Sequence, residues 1–128
     1  MPIHYHIDHD KRYVEARADG ETGLEDFENF LDAIVLQGAL PYRKLIDSRL
    51  AVGALNDHDI MMLGARMSAY TGNLGPRGAI AFVVAGPAPT SIPTRVINLA
   101  PADRPAKVFR SEDEARKWLA EQPDEAAS

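Results

Sequence analysis

The chain contains no cysteine, so a thiolate nucleophile, a disulfide and thiolate metal ligation are all excluded. Chemistry must come from histidines, carboxylates, hydroxyls and arginines. Three of the four histidines crowd the first nine residues: His4 and His6 at i and i+2, and His9 just beyond. A zinc site needs three or four converging ligands, and the only nearby candidates to complete one are Asp8, Asp10 and Glu15. The same residues are explained more simply as exposed cross-strand neighbours, with His4 or His6 facing Glu15 and Arg17 across a hairpin. We therefore expect no metal here. His58, between two aspartates at the start of a helix, reads as a surface residue. The chain has no G-x-S-x-G elbow, no H-E-x-x-H, no phosphate loop and no G-x-G-x-x-G. Gly72, Gly75 and Gly78 precede a strand where a phosphate loop would follow one, so they read as turns.

A second constellation gathers where strands end. In open α/β sheets, ligands sit beyond the carboxyl ends of parallel strands. Those ends are expected at Asp47-Ser48-Arg49, at Gly86 to Ser91 and at Arg110-Ser111, with Arg95 one turn into the helix that follows Pro93. A helix start near Thr90 or Ser91 would add amide donors suited to an anion. Taken singly, Ser48 and Thr90 would satisfy loop amides and Asp47 would cap a turn. Taken together, Asp47, Ser48, Arg49, Thr90, Ser91 and Arg95 form the expected ligand- or partner-binding set. No catalytic residue, metal ligand or cofactor is assigned.

These residues need a scaffold, and hydrophobic periodicity supplies one. Ile3 to Asp8 alternates, as does Tyr13 to Ala18, which predicts a hairpin that Asp19-Gly20-Glu21 ends. Thr22-Gly23-Leu24-Glu25 reads as a capping box, and Leu24, Phe27, Leu31, Ile34 and Val35 then recur at helical spacing over about residues 23 to 38. Arg43 to Asp47 reads as a short strand and residues 48 to 56 as irregular. Asn56 or Asp57 caps a second helix with Ile60, Leu63, Met67 and Tyr70 inward. Gly78 to Gly86 is apolar on both faces and reads as the central strand. A helix from about Pro93, a strand at Ala106 to Phe109 and a helix capped by Ser111 complete the order β-β-α-β-α-β-α-β-α.

With 128 residues the chain fits one domain with a real core. Residues 1–122 form the expected domain and 123–128 an acidic tail. The net charge of −5 is unevenly spread: residues 19–32 hold six acids and no base, while residues 33–110 carry a net +5. An acidic whole argues against non-specific nucleic-acid binding, yet the basic middle suits one anionic ligand or an acidic partner patch. No apolar run approaches the roughly 20 residues of a membrane span, and the first residues are no signal peptide, so a cytoplasmic location is expected.

Several segments together carry a resemblance. The opening hairpin, Leu24-x-x-Phe27, Pro41-Tyr42-Arg43-Lys44-Leu45-Ile46-Asp47 and Arg77-Gly78-Ala79-Ile80-Ala81 are joined by Thr94-Arg95-Val96, Val108-Phe109-Arg110 and Ala115-x-x-Trp118-Leu119. In this pattern, from about residue 3 to 121, the chain resembles the SpoIIAA-like proteins with a STAS/SEC14-type domain. The resemblance implies a single-domain α/β SpoIIAA-like (STAS-like) fold, with a mixed, mostly parallel sheet of about five strands and helices mainly on one face. Antagonists of the STAS group are non-enzymatic switches phosphorylated on a serine where the third strand runs into the second helix. Asp47-Ser48 lies at the corresponding strand end, which makes Ser48 the residue to phosphorylate, although Arg49 and Leu50 depart from the Asp-Ser-Ser-Gly pattern. The resemblance thus implies first a regulatory or protein-interaction module with a protein partner. Second comes a carrier of a small anionic or lipid-like molecule in a crevice at the strand carboxyl ends, and an enzyme comes third. A homodimer stays open.

Overall fold

The computed structural model describes residues 3–53, 55–74, 78–86 and 105–122. Five strands, β1 (Ile3–Asp8), β2 (Tyr13–Thr22), β3 (Arg43–Gly53), β4 (Ile80–Val83) and β5 (Ala106–Phe109), form one sheet in sequence order. β1 pairs antiparallel with β2, and every later neighbour is parallel. The helices are α1 (Leu24–Leu36), α2 (Asp57–Leu74) and α3 (Glu112–Ala120). This is the mixed, mostly parallel five-strand sheet that the resemblance implied. The helix expected from Pro93 and the tail at 123–128 lie outside the described residues.

The hairpin follows from its turn chemistry. Asp8 Oδ1 accepts from the amides of Asp10 and Lys11, both at 3.0 Å, and Arg12 takes a left-handed φ of 53°. His4 then stands opposite Arg17 and His6 opposite Glu15, as the alternation predicted. Further along, two strands run past their expected ends. β2 continues through Asp19-Gly20-Glu21 to Thr22, and β3 crosses the stretch read as irregular to reach Gly53. The registers Arg17↔Asp47 and Asp19↔Leu50 advance β2 by two residues and β3 by three, so β3 carries one extra residue at Ser48-Arg49. That β-bulge resets the alternation. Leu50 and Val52 fall on the face of Asp47, while Ala51 packs with Ile46 on the other.

The sheet separates two cores. Ile3, Val14, Ala16, Ala18, Ile46 and Ile80 pack under Phe30 and Ile34 of α1. Leu45, Ala79, Ala81, Val83 and Phe109 pack under Ala115 and Leu119 of α3. α2 closes a third cluster, with Leu55, Ile60 and Leu63 against Leu24, Phe27 and Leu31 of α1. α1 and α2 therefore share one face, and α3 holds the other. The strand expected to be central, β4, lies one place from the sheet edge, and β3 takes the centre. Burial on both faces reports the layers above and below a strand, not its lateral position, which is why the apolar run misplaced it.

The caps were legible to within a residue. Gly23, not Thr22, starts α1: its amide donates to Asp26 Oδ2 at 3.0 Å, while the buried Thr22 hydroxyl donates to Gly20 O. Asn56 and Asp59 cap α2 reciprocally, at 2.8 and 3.3 Å, and Ser111 Oγ accepts from the Glu114 amide. Arg66 ties α2 to the acidic face of α1 through Glu28 at 3.1 Å and Asp32 at 2.7 Å.

The tightest approach lies at the entry to β4. The Gly78 amide donates to Leu40 O at 3.0 Å, and a Cβ at Gly78 would overlap the carbonyl oxygens of Pro41 and Tyr42. Gly78→Ala should therefore cost about 2 to 3 kcal/mol in urea melts, because backbone must shift to make room. Gly23→Ala, where a Cβ meets open space, should cost about 1 kcal/mol or less. Equal losses for the two variants would refute the close packing.

Candidate functional site

The bulge brings two of the expected site residues into contact. Asp47 lies on the face covered by α3, and its Oδ1 accepts from the Arg49 amide at 3.0 Å. The Arg49 guanidinium turns back onto the same carboxylate, with Nε at 2.9 Å from Oδ1 and Nη2 at 2.8 Å from Oδ2. Arg49 Nη2 also donates to Glu112 Oε1 in the first turn of α3, at 2.9 Å. Glu112 Oε2 accepts from Arg116 Nε at 3.0 Å, and Arg116 Nη1 bonds Glu15 on β2. An unbroken chain of alternating charge thus runs from the β3 bulge along one side of α3 to β2.

The chain also sets the protonation of its members. The Arg49 guanidinium, against desolvation, holds the Asp47 carboxyl below its ordinary range, helped by the Arg49 amide. Glu15, and then Glu112, push the Arg116 guanidinium still higher than usual, so it stays a cation. Each link is partly exposed and weak alone, but the shared guanidinium carbons are already ordered when the next bond forms. Glu112 at the helix start also meets the favourable end of the α3 dipole.

Ser48 sits inside this bulge, half-buried, and its hydroxyl has no hydrogen-bond partner among the described residues. It does not stand at a strand end that runs into a helix. β3 continues five residues beyond it to Gly53, and α2 starts only at Asp57. Asp47 does mark the end of the β3–β4 ladder, where it pairs with Val83. Beyond that point β2 is the partner of β3 among the described residues. Across the crevice, Arg110 Nη2 donates to Ala85 O at 3.1 Å and Ser111 is occupied as the α3 cap. Thr90, Ser91 and Arg95 lie outside the described residues.

Sequence reasoning missed Glu15, Glu112 and Arg116 as partners of this rim. The i, i+4 spacing of Glu112 and Arg116 signals a helical ion pair. Nothing local signals that Arg49 is its neighbour, since 63 residues separate Arg49 from Glu112. Among the described residues no group of three or more histidines or carboxylates is placed to hold a metal ion.

The lowered Asp47 carboxyl makes a pH prediction. A folded-state value below the ordinary 3.8 gives stability that is present above that value and lost as pH falls through the folded-state one. Asp47→Asn keeps an oxygen for the Arg49 amide but removes the charge. It should lower thermal stability slightly near neutral pH and flatten the decline seen below the ordinary aspartate range. An unchanged acid limb in melts across that range would show that the pair contributes nothing.

No protein-family model matches the chain, and no curated protein matches it significantly. Among solved structures it is similar to an uncharacterized protein of the DUF3478 family from Shewanella loihica PV-4, described as having a SpoIIAA-like fold. The two share 22% sequence identity over 91% of each chain, with a TM-score of 0.57. At that identity the likeness speaks for architecture alone. Together with the antiparallel opening strand, the parallel ladder β2 to β5 and helices on both faces, it gives this chain a SpoIIAA-like fold.

Proposed function

We propose that the chain is a non-enzymatic regulatory or protein-interaction module of the STAS-like type, working through the rim around the β3 bulge. The observation that carries this reading is the charge chain itself. Asp47, Arg49, Glu112, Arg116 and Glu15 are spent on one another, so none is a free acid, base or nucleophile partner beside Ser48. What remains at the surface is a patterned set of charges next to an accessible hydroxyl, beside the exposed Leu50 and Val52. Such a surface recognises another macromolecule by complementarity.

The bulge also gives the rim two states. A phosphate on Ser48 would add about 1.5 to 2 negative charges beside Asp47. Arg49 is the nearest cation, and it is held only by carboxylates in a partly exposed setting. The phosphate would compete for that guanidinium, loosen its bond to Glu112 and so uncouple the bulge from α3. A partner that reads the paired rim would be released, or one that reads the phosphate would be captured. Thr90, Ser91 and Arg95 complete the proposed set on sequence grounds.

The test is mass spectrometry of the protein isolated from its source, combined with cross-linking of wild type and variants. Phosphate is expected on Ser48, and Ser48→Asp should change the cross-linked partner while leaving the melting profile intact. Arg49→Ala should weaken the same complex. An unmodified Ser48, together with complexes indifferent to both substitutions, would remove the rim as the working surface.

A further inference from the structure

A separate site lies at the opposite, amino end of the parallel strands. The registers Asp8↔Tyr13 and Tyr13↔Arg43 place these three residues in one row across β1, β2 and β3, on the face that carries α3. The next row holds His6, Glu15 and Leu45. Among the described residues α3 packs on β3, β4 and β5 and reaches β2 through Arg116. Between its last turn and the hairpin runs an open cleft of about 490 Å³, walled by these residues with Lys11, Arg116, Leu119 and Ala120.

Two carboxylates along the cleft are already engaged. Glu15 is taken by Arg116, and Asp8 accepts the amides of Asp10 and Lys11. Among the described residues Arg43 has no carboxylate partner. Its Nη1 donates at 3.3 Å to the carbonyls of Leu119 and Gln122 at the end of α3, where a cation suits the helix dipole. Its Nε is buried without a partner, and its Nη2 bonds none of the described residues. Nη2, at the other end of the guanidinium's side-on edge, is the donor that a carboxylate or phosphate entering the cleft can reach. Arg49 uses that same edge on Asp47. Beside Arg43, in the neighbouring strand about 4.8 Å away, stands Tyr13. Burial raises the Tyr13 phenol above its ordinary value, so it remains a donor, and it has no hydrogen-bond partner among the described residues.

We infer that this cleft binds a small organic anion, its carboxylate or phosphate group on Arg43 Nη2 and the Tyr13 hydroxyl, and its body along Tyr13 and Ala120. Asp8 and His6 on the β1 side bound the site, and the Asp8 carboxylate excludes a second negative group from that wall. Arg43 keeps Nη1 on the helix carbonyls while Nη2 takes the ligand, so binding stiffens the junction of α3 with β3. This inference does not rest on the rim or on Ser48.

The probes are benzoate, phenyl phosphate and inorganic phosphate, with benzamide as the neutral counterpart. Titration is followed by the Arg43 Nε–H resonance and the Tyr13 ring signals in NMR. Benzoate or phenyl phosphate should shift both saturably, and benzamide should not. The stronger of the two identifies the anion class, and inorganic phosphate binding as tightly as phenyl phosphate would remove the role of the apolar wall. Arg43→Gln removes the cation and should weaken binding about tenfold or more. Should that variant unfold, Tyr13→Phe, which changes only the hydroxyl, should weaken binding several-fold with the fold intact. Arg66→Ala, on the other face of the sheet, should leave binding unchanged. No saturable shift with any anion, full-strength binding in both cleft variants, or loss in Arg66→Ala alone would overturn the site.

Discussion

A buried ammonium sets the geometry on which both ends of the sheet depend. Lys44 is only 4% exposed, in the second position of the central strand. Moving an ammonium out of water costs on the order of several kcal/mol unless acceptors replace the lost hydration. Here the acceptors are backbone carbonyls of the α1–β3 connection, Leu40 O at 2.6 Å and Tyr42 O at 2.7 Å from Nζ. That connection must therefore curl over the start of β3 rather than run out into solvent. Leu40 O also receives the Gly78 amide, so the same carbonyl fastens the entry of β4. With the Lys44 amide on Ala79 O, the register Lys44↔Ile80 is set from both sides of one strand. Because strand side chains alternate, burying Lys44 under α1 sends Arg43 to the opposite face, against the end of α3. One desolvated cation thus determines where a second cation stands.

The bulge is the complementary constraint at the carboxyl end. Upstream of Ser48, β3 has neighbours on both sides; downstream, β2 is its partner among the described residues. An extra residue at that transition lets the continuing strands keep Ala51 on the α1 face, while Asp47 and Arg49 close on each other. Without it, Leu50 and Val52 would fall on the face where Ala51 now packs, and Ala51 would leave it. The bulge therefore serves packing on one face and the charge chain on the other.

How much of this could be read from the sequence depended on the range of the interaction. The β1–β2 register was legible because period-two alternation and a local Asp8 turn determine it together. α1 was legible from its apolar stripe, but its cap was not, since Thr22 looks like a cap until its burial at the end of β2 is known. The extension of β3 was hidden: Ser48-Arg49-Leu50-Ala51-Val52 continues the earlier alternation only when one residue is set aside as a bulge. Asp47 and Arg49 were legible as rim residues. Their dependence on Glu112 and Arg116 was not, because that contact exists only once α3 lies across β3. Arg43 shows the limit most plainly. In sequence it is a strand-starting base like many others, and its unmatched edge emerges from contacts with Leu119 and Gln122, over 70 residues away.

The general tendency of α/β sheets to bind at strand carboxyl ends meets an electrostatic counterargument here. At that end the guanidinium of Arg49 is engaged on its side-on edge by Asp47 and shared with Glu112. An anion arriving there must displace a carboxylate that is held in place by its own strand, so it gains little beyond what it breaks. At the amino end Arg43 Nη2 has no carboxylate partner among the described residues, and the two carbonyls at 3.3 Å occupy a different nitrogen. An anion there forms its bonds without breaking an ion pair. Charge matching within the fold thus separates the two ends: at the carboxyl end the guanidinium is paired with carboxylates, and at the amino end it rests on helix carbonyls.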